Sequence, residues 1–209
     1  KQKDTLTAET DFNRAIEIDR YDPDTWASRG MLYLMKEQYK EAEEDLGKAI
    51  HLSVRNPGLY INRALARYHQ NNLRGAMADY DLAIDMDANN FIGHYNRGLL
   101  RAQVGDDNRA IEDFNFVIEM EPDNMMAIFN RGLLLDQTGD LRGAIKDYTR
   151  VLEEYPNFLA GYQYRATARK KLGDWRGAEA DELVELKAHL DMQNGVQKQT
   201  ADNKEKTRK

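Results

Sequence analysis

Alanine returns every 34 residues, at Ala42, Ala76, Ala110, Ala144 and Ala178, and no insertion or deletion breaks the count. A fixed period of this length means that one short structural unit is copied along the chain, each copy burying its apolar face against its neighbours. Aligned at this period, other columns fall into register. Gly30, Ala64, Gly98, Gly132 and Ala166 keep one slot small, and Arg29, Arg63, Arg97, Arg131 and Arg165 keep the slot before it basic. An acidic column runs Asp11, Asp45, Asp79, Asp113, Asp147 and Asp181, and Phe12, Leu46, Tyr80, Phe114 and Tyr148 follow its first five members. Because Asp11 and Phe12 keep the phase, the period extends upstream of the first whole unit. The natural chain is therefore expected to begin before Lys1, in a stretch that would carry any signal peptide.

Within a unit the residues predict two helices. Gly105-Asp106 and Gly139-Asp140 separate runs with apolar residues at i, i+3 and i+4, which is helical periodicity. The glycine can take the left-handed conformation that closes one helix, and the aspartate can cap the next. Asp22-Pro23 and Asn56-Pro57 mark the junctions between units, a capping side chain followed by a proline tolerated at the first helical position. The small column is expected to sit opposite the Ala42 column, where bulk would overpack the hairpin at roughly 1–3 kcal/mol per site. Arg97 and Asp113 are equidistant from the turn at Gly105, so antiparallel packing sets them level. The pair is expected to be structural, closing within a repeat or reaching the aspartate of the preceding one, and fixing register more than adding stability.

The 34-residue period, the small slot, A-x3-F/Y and a late proline resemble the tetratricopeptide repeat. Trp26-x3-Gly30 and Ala42-x3-Leu46-x2-Ala49 carry the pattern in the first whole unit, and Ala110-x3-Phe114 with Pro122 carries it in the third. On that alignment residues 4–20 are the second helix of a truncated repeat. Five repeats follow, at 23–56, 57–90, 91–124, 125–158 and 159–190, and 191–209 form a polar extension, a frayed helix or linker, ending Lys204-Glu205-Lys206-Thr207-Arg208-Lys209. The last repeat looks like a cap, because Glu182 and Glu185 stand where earlier units have Phe114 and Val117. The resemblance implies an all-α, right-handed superhelical solenoid of helix-turn-helix repeats. Its arginine column, at a slot that is commonly leucine in the family, marks an N-R-G variant.

Composition removes several function classes. With 36 acidic against 30 basic residues the chain has no global field for nucleic acid, and no apolar stretch approaches the roughly 18 residues of a membrane span. There is no cysteine, hence no thiol chemistry, and no G-x-S-x-G, Walker A or G-x-G-x-x-G motif. His51, His69, His94 and His189 fall in different slots without metal-ligand spacing, and Asp19, Asp22 and Asp24 read as caps rather than a calcium loop. No catalytic residue, metal or cofactor is expected, and the compartment stays open between cytoplasm and periplasm or secretion.

The resemblance places function on the concave face lined by first helices. The slots that face the groove in the family hold Met31 and Met35 in the first whole repeat, Ile61, Asn62, Leu65 and Tyr68 in the second, and Tyr95, Asn96 and Leu99 in the third. They hold Phe129, Asn130, Leu133 and Gln137 in the fourth and Tyr164, Lys170 and Lys171 in the fifth, so the face is aromatic and methionine-bearing in the middle and basic at its end. Such a face suits an adaptable apolar partner, a peptide or protein segment. Asn62, Asn96 and Asn130 could read the backbone of an extended peptide, whereas Tyr95, Leu99 and Phe129 occupy central slots that a carboxylate clamp would need to be basic. The expected function is a non-enzymatic interaction scaffold. The alternatives are a spacer or self-associating segment that docks through its truncated N-terminal edge, and a repeat region appended to an enzyme domain outside this sequence.

Overall fold

The computed structural model describes the backbone of residues 2–53 and 55–206, and side chains for 7–53, 55–191 and 193. Among the described residues there are eleven helices and no strand. The chain divides at Met120 and Glu121 into two compact units. The first holds α1 (Gln2–Ile18), α2 (Pro23–Met35), α3 (Tyr39–Leu52), α4 (Pro57–His69), α5 (Leu73–Met86), α6 (Phe91–Gln103) and α7 (Asp107–Met120); the second holds α8 (Met125–Thr138), α9 (Leu141–Glu154), α10 (Leu159–Leu172) and α11 (Trp175–Lys206). In unit 1 α1 packs on α2, and α2/α3, α4/α5 and α6/α7 are the helical hairpins; in unit 2 the hairpins are α8/α9 and α10/α11.

Side chains at the junctions explain where the helices start. Asp22 accepts from the backbone N–H of Asp24 and Thr25 ahead of Pro23, and Asn56 accepts from Gly58 ahead of Pro57. Asn72, Asn90, Asn124 and Asp140 do the same for α5, α6, α8 and α9, satisfying donors that a helix start leaves without intrahelical acceptors. At the intra-repeat turns Gly105, Gly139 and Gly173 adopt positive φ of 80°, 97° and 85°. Glu37 and Asn71 hold the same conformation at 59° and 61° in the two earlier hairpins, so the turn is imposed by the hairpin even where its residue is not glycine.

The core of unit 1 joins Ala42, Leu46, Ala64, Ala76, Tyr80 and Leu100, with Trp26, Tyr33, Tyr68 and Met77 packed against it. In unit 2 Ala144, Tyr148 and Ala168 form a buried cluster with Phe129, Leu133, Leu135 and Ile145 around it. The small column faces the aromatic column rather than the Ala42 column. A Cβ on Gly30 would lie 2.8 Å from Leu46 Cγ, one on Gly98 3.2 Å from Phe114 Cε1, and one on Gly132 2.9 Å from Tyr148 Cε1. The slot is small because a large ring or branched chain from the second helix packs against it, four residues along from the alanines.

The last helix, α11, combines internal hydrogen bonds with an exposed apolar side. Glu182 receives a hydrogen bond from Lys170, and Glu185 one from Gln163, so both carboxylates turn toward α10 of their own hairpin. The side of α11 opposite the buried Asp181 carries Leu183, Leu186 and Leu190, 59%, 56% and 50% exposed, an apolar stripe. The backbone of α11 also runs through position 190 without a break, as far as Lys206. The side chains of the basic run Lys204–Lys209 lie outside the described residues. No helix among those described is long and apolar enough to cross a membrane.

Candidate functional site

Equivalent first-helix slots recur at each 34-residue repeat. In unit 1 Met31, Leu65 and Leu99 occupy a single slot of α2, α4 and α6 and stay 44%, 36% and 38% exposed. Met35 on α2 and Ile92 on α6 are also exposed, at 79% and 50%. Single exposed apolar residues are ordinary, but a row repeated in register is the kind of contiguous patch that marks an interaction surface. Asn62 and Asn96 flank the row on α4 and α6. Both are half-buried, and among the described residues their amides have no hydrogen-bond partner within the chain. Asn130, in the same slot of unit 2, does have a partner.

Other expected lining residues are partly or wholly committed to packing. Ile61 is 9% exposed and belongs to the core, so it adds little to the face. Tyr68 is half-buried against the core and meets His69 edge-on, ring centroids 5.4 Å apart, and His69 stacks on Tyr39 at 4.4 Å. Tyr95 packs edge-on against buried Phe114 at 5.8 Å.

In unit 2 Phe129 is half-buried among aromatic rings, 5.1 Å from Phe158, 5.6 Å from Tyr164 and 5.9 Å from Tyr148. Tyr164 is 42% exposed, Gln137 is exposed and Leu133 packs on the buried cluster. The expected basic end is neutralised within the chain, since Lys171 Nζ lies 2.6 Å from Asp136 and Lys170 pairs with Glu182. Where Phe129 meets the start of α8 and the α9–α10 loop, a pocket of about 460 Å³ opens, lined by Met125, Met126, Val151, Glu154, Tyr155, Pro156, Asn157 and Phe158.

The arginine and aspartate columns form the internal scaffold beneath these faces. Arg29, Arg63, Arg97, Arg131 and Arg165 each donate two hydrogen bonds, from Nε and a terminal nitrogen, to Asp45, Asp79, Asp113, Asp147 and Asp181 of their own hairpin. The third guanidinium nitrogen reaches backward: Arg97 Nη1 to Asp81 at 2.8 Å, Arg165 Nη1 to Thr149 at 3.1 Å and Arg29 Nη1 to Asn13 at 2.6 Å. The pair therefore closes within the repeat, and Arg29, Arg97 and Arg165 also tie their hairpins to the preceding helix, through Asn13, Asp81 and Thr149 rather than through the column aspartate. A second arginine was missed. Arg67, Arg101 and Arg169 bond Asp79, Asp113 and Asp181 at 2.8–2.9 Å and also reach a backbone carbonyl, and their spacing of one and two 34-residue periods was the signal that could have found them. His94 joins the third cluster, Nδ1 3.0 Å from Asp113 Oδ1, with its ring stacked 4.0 Å from Phe116. The Asp79 hydrogen bond holds the Arg63 guanidinium above its ordinary pKa, while burial pushes the Tyr80 and Tyr148 phenols up. These shifts keep the arginine charged and the two phenols neutral at physiological pH.

Among the described residues no three acidic, histidine or cysteine side chains converge to hold a metal. What the first-helix faces offer is apolar area, free amides and a pocket.

Two tetratricopeptide-repeat family models match the chain, over residues 12–44 and 95–157. No curated protein matches it significantly. Similar solved structures include YrrB, described as a tetratricopeptide-repeat protein with an unusual peptide-binding site. Its TM-score is 0.77 at 16% identity, over 90% of this chain and 97% of that one. MamA is also similar, with TM-score 0.70 and 21% identity over 74% of this chain and 91% of that one. A tetratricopeptide-repeat protein from Parabacteroides merdae ATCC 43184 gives 0.72 and 20%, over 86% and 72%. At these identities the likeness is one of fold.

Proposed function

From the premise that the chain is a tetratricopeptide-repeat protein, we propose that it is a non-enzymatic interaction scaffold whose first-helix faces hold a peptide or protein segment. The observation that carries this reading is the exposed row Met31, Leu65 and Leu99 in one slot of three successive first helices, flanked by the unpaired amides of Asn62 and Asn96. An apolar row with hydrogen-bonding groups beside it recognises a chain by burying alternate or i, i+4 side chains while the amides meet exposed backbone groups. The peptide-binding description of YrrB supports the same class of partner. Selection of a displayed random-peptide library on the wild type and on a Leu65→Asp, Leu99→Asp double variant tests it. Peptides enriched on the wild type should bind the variant at least tenfold more weakly; equal binding to a folded variant would remove the reading.

Self-association is the second reading, and the stripe Leu183, Leu186 and Leu190 on α11 favours it. Leucines at i, i+3 and i+7 on one exposed side of a helix match the spacing by which helices pack on one another. Sedimentation equilibrium would then show a mass that rises with concentration and reverts to monomer in Leu186→Glu.

A further inference from the structure

We propose that the pocket at the start of α8 is an anchor site for one bulky apolar side chain carried in a lysine- or arginine-rich peptide segment. The inference rests on the reading that the first-helix faces take a protein segment, because Met126 and Phe129 belong both to the pocket and to the first helix α8.

The walls specify the apolar part. Phe129 and Phe158 stand edge-on at 5.1 Å and form a rigid aromatic wall, while Met126, 65% exposed, and Tyr155, 53% exposed, close the sides. At about 460 Å³ the space falls toward the small end of ligand pockets, suited to a Phe, Leu or Met side chain and its immediate neighbours. Methionine thioethers at the mouth can adapt to more than one such shape.

The rim specifies the charge. A second depression shares Met125, Met126 and Tyr155 with the pocket and adds Glu121, Pro122, Asp123 and Asn124. Together the two carry three carboxylates at the opening, Glu121, Asp123 and Glu154. Arg150 is held beside them, donating to the Pro122 carbonyl and lying 3.3 Å from the 95%-exposed Asp123 side chain. Glu154 is exposed and has no partner among the described residues, and Glu121 accepts only a neutral amide hydrogen bond from Asn124, at 3.1 Å. Three carboxylates against one guanidinium repel an acidic segment and attract a cationic one, over a range of about 8 Å at physiological salt. A wholly apolar ligand would gain nothing from this rim.

Fluorescence anisotropy with three labelled probes tests the assignment: acetyl-Lys-Lys-Phe-Lys-Lys-amide, its Phe→Ala form, and its Lys→Glu form. The Phe–Lys probe is expected to bind at least tenfold more tightly than either counterpart. Met126→Asp should weaken it at least tenfold. Asp123→Lys with Glu154→Lys, two substitutions at exposed positions that leave the fold alone, should weaken it severalfold and flatten its salt dependence. Equal binding of the Phe and Ala probes, or unchanged affinity in the doubly reversed protein, overturns the proposal. If the Phe–Lys probe fails to bind while library-selected peptides still depend on Leu65 and Leu99, the anchor site is wrong and the scaffold reading stands. If no peptide of either kind depends on a first-helix residue, both fall.

Discussion

Asp113 shows how much one repeated residue carries. It is 2% exposed in its side chain and faces Arg97, Arg101 and His94 at 2.7–3.0 Å. A carboxylate this buried is stable only while its cations stay in place, and the cations in turn depend on it. Asp113→Ala is therefore expected to cost about 3–5 kcal/mol, more than Arg97→Ala, which leaves Arg101 to compensate the carboxylate. Urea denaturation of both single variants and the double variant should give a double-variant loss smaller than the sum; strict additivity would mean that the columns do not interact. A second residue-scale contrast is between two glycines. A side chain on Gly98 would meet Asp113 Cβ and Phe114 within 3.2 Å, whereas Gly105 has open space and only a φ of 80° to defend. Gly98→Leu should lower stability by about 3 kcal/mol and Gly105→Ala by about 1 kcal/mol; equal midpoints would contradict the hairpin packing. Phe129 also reads differently once its three aromatic neighbours are known. Phe129→Ala should destabilise unit 2 by about 2 kcal/mol, below the 3–5 kcal/mol of a fully buried site because the ring is only half-buried, so it is a poor reporter of binding.

At the scale of elements, helix starts were legible because they depend on local chemistry: Asp22 before Pro23 and Asn56 before Pro57 cap the chain that follows them. The intra-repeat turns were legible only where glycine marks them. Glu37 and Asn71 take the same left-handed geometry because the packed hairpin imposes it, and no local signal distinguishes them. The five ion pairs were visible as columns; the second arginine at Arg67, Arg101 and Arg169 keeps the same repeat register, but its bond to the aspartate, from one turn further along the helix, depends on how the two helices pack. The same holds for the groove. Of the residues that slot positions place on the face, Met31, Leu65 and Leu99 are exposed, Ile61 is buried, and Lys170 and Lys171 meet acidic partners on α11 and α8. Glu182 and Glu185 bond to α10, and the stripe Leu183, Leu186 and Leu190 stays exposed on α11. If that stripe is an interface, Leu186→Glu should raise solubility and remove any concentration-dependent mass without lowering thermal stability.

For the molecule as a whole, the claim is that binding resides on first helices and stability on the pairing between first and second helices. Methionines report on this division, since Met31, Met35 and Met126 are exposed on first helices, and Met86 and Met120 are 41% and 46% exposed at the ends of second helices. The most direct measurement is methyl NMR of methionine-labelled protein titrated with the tightest peptide selected from the library. Binding on the proposed faces predicts shifts or broadening at Met31 and Met35, or at Met126, with Met86 and Met120 unmoved. Shifts confined to Met86 and Met120 would place the partner on the second helices and contradict the account.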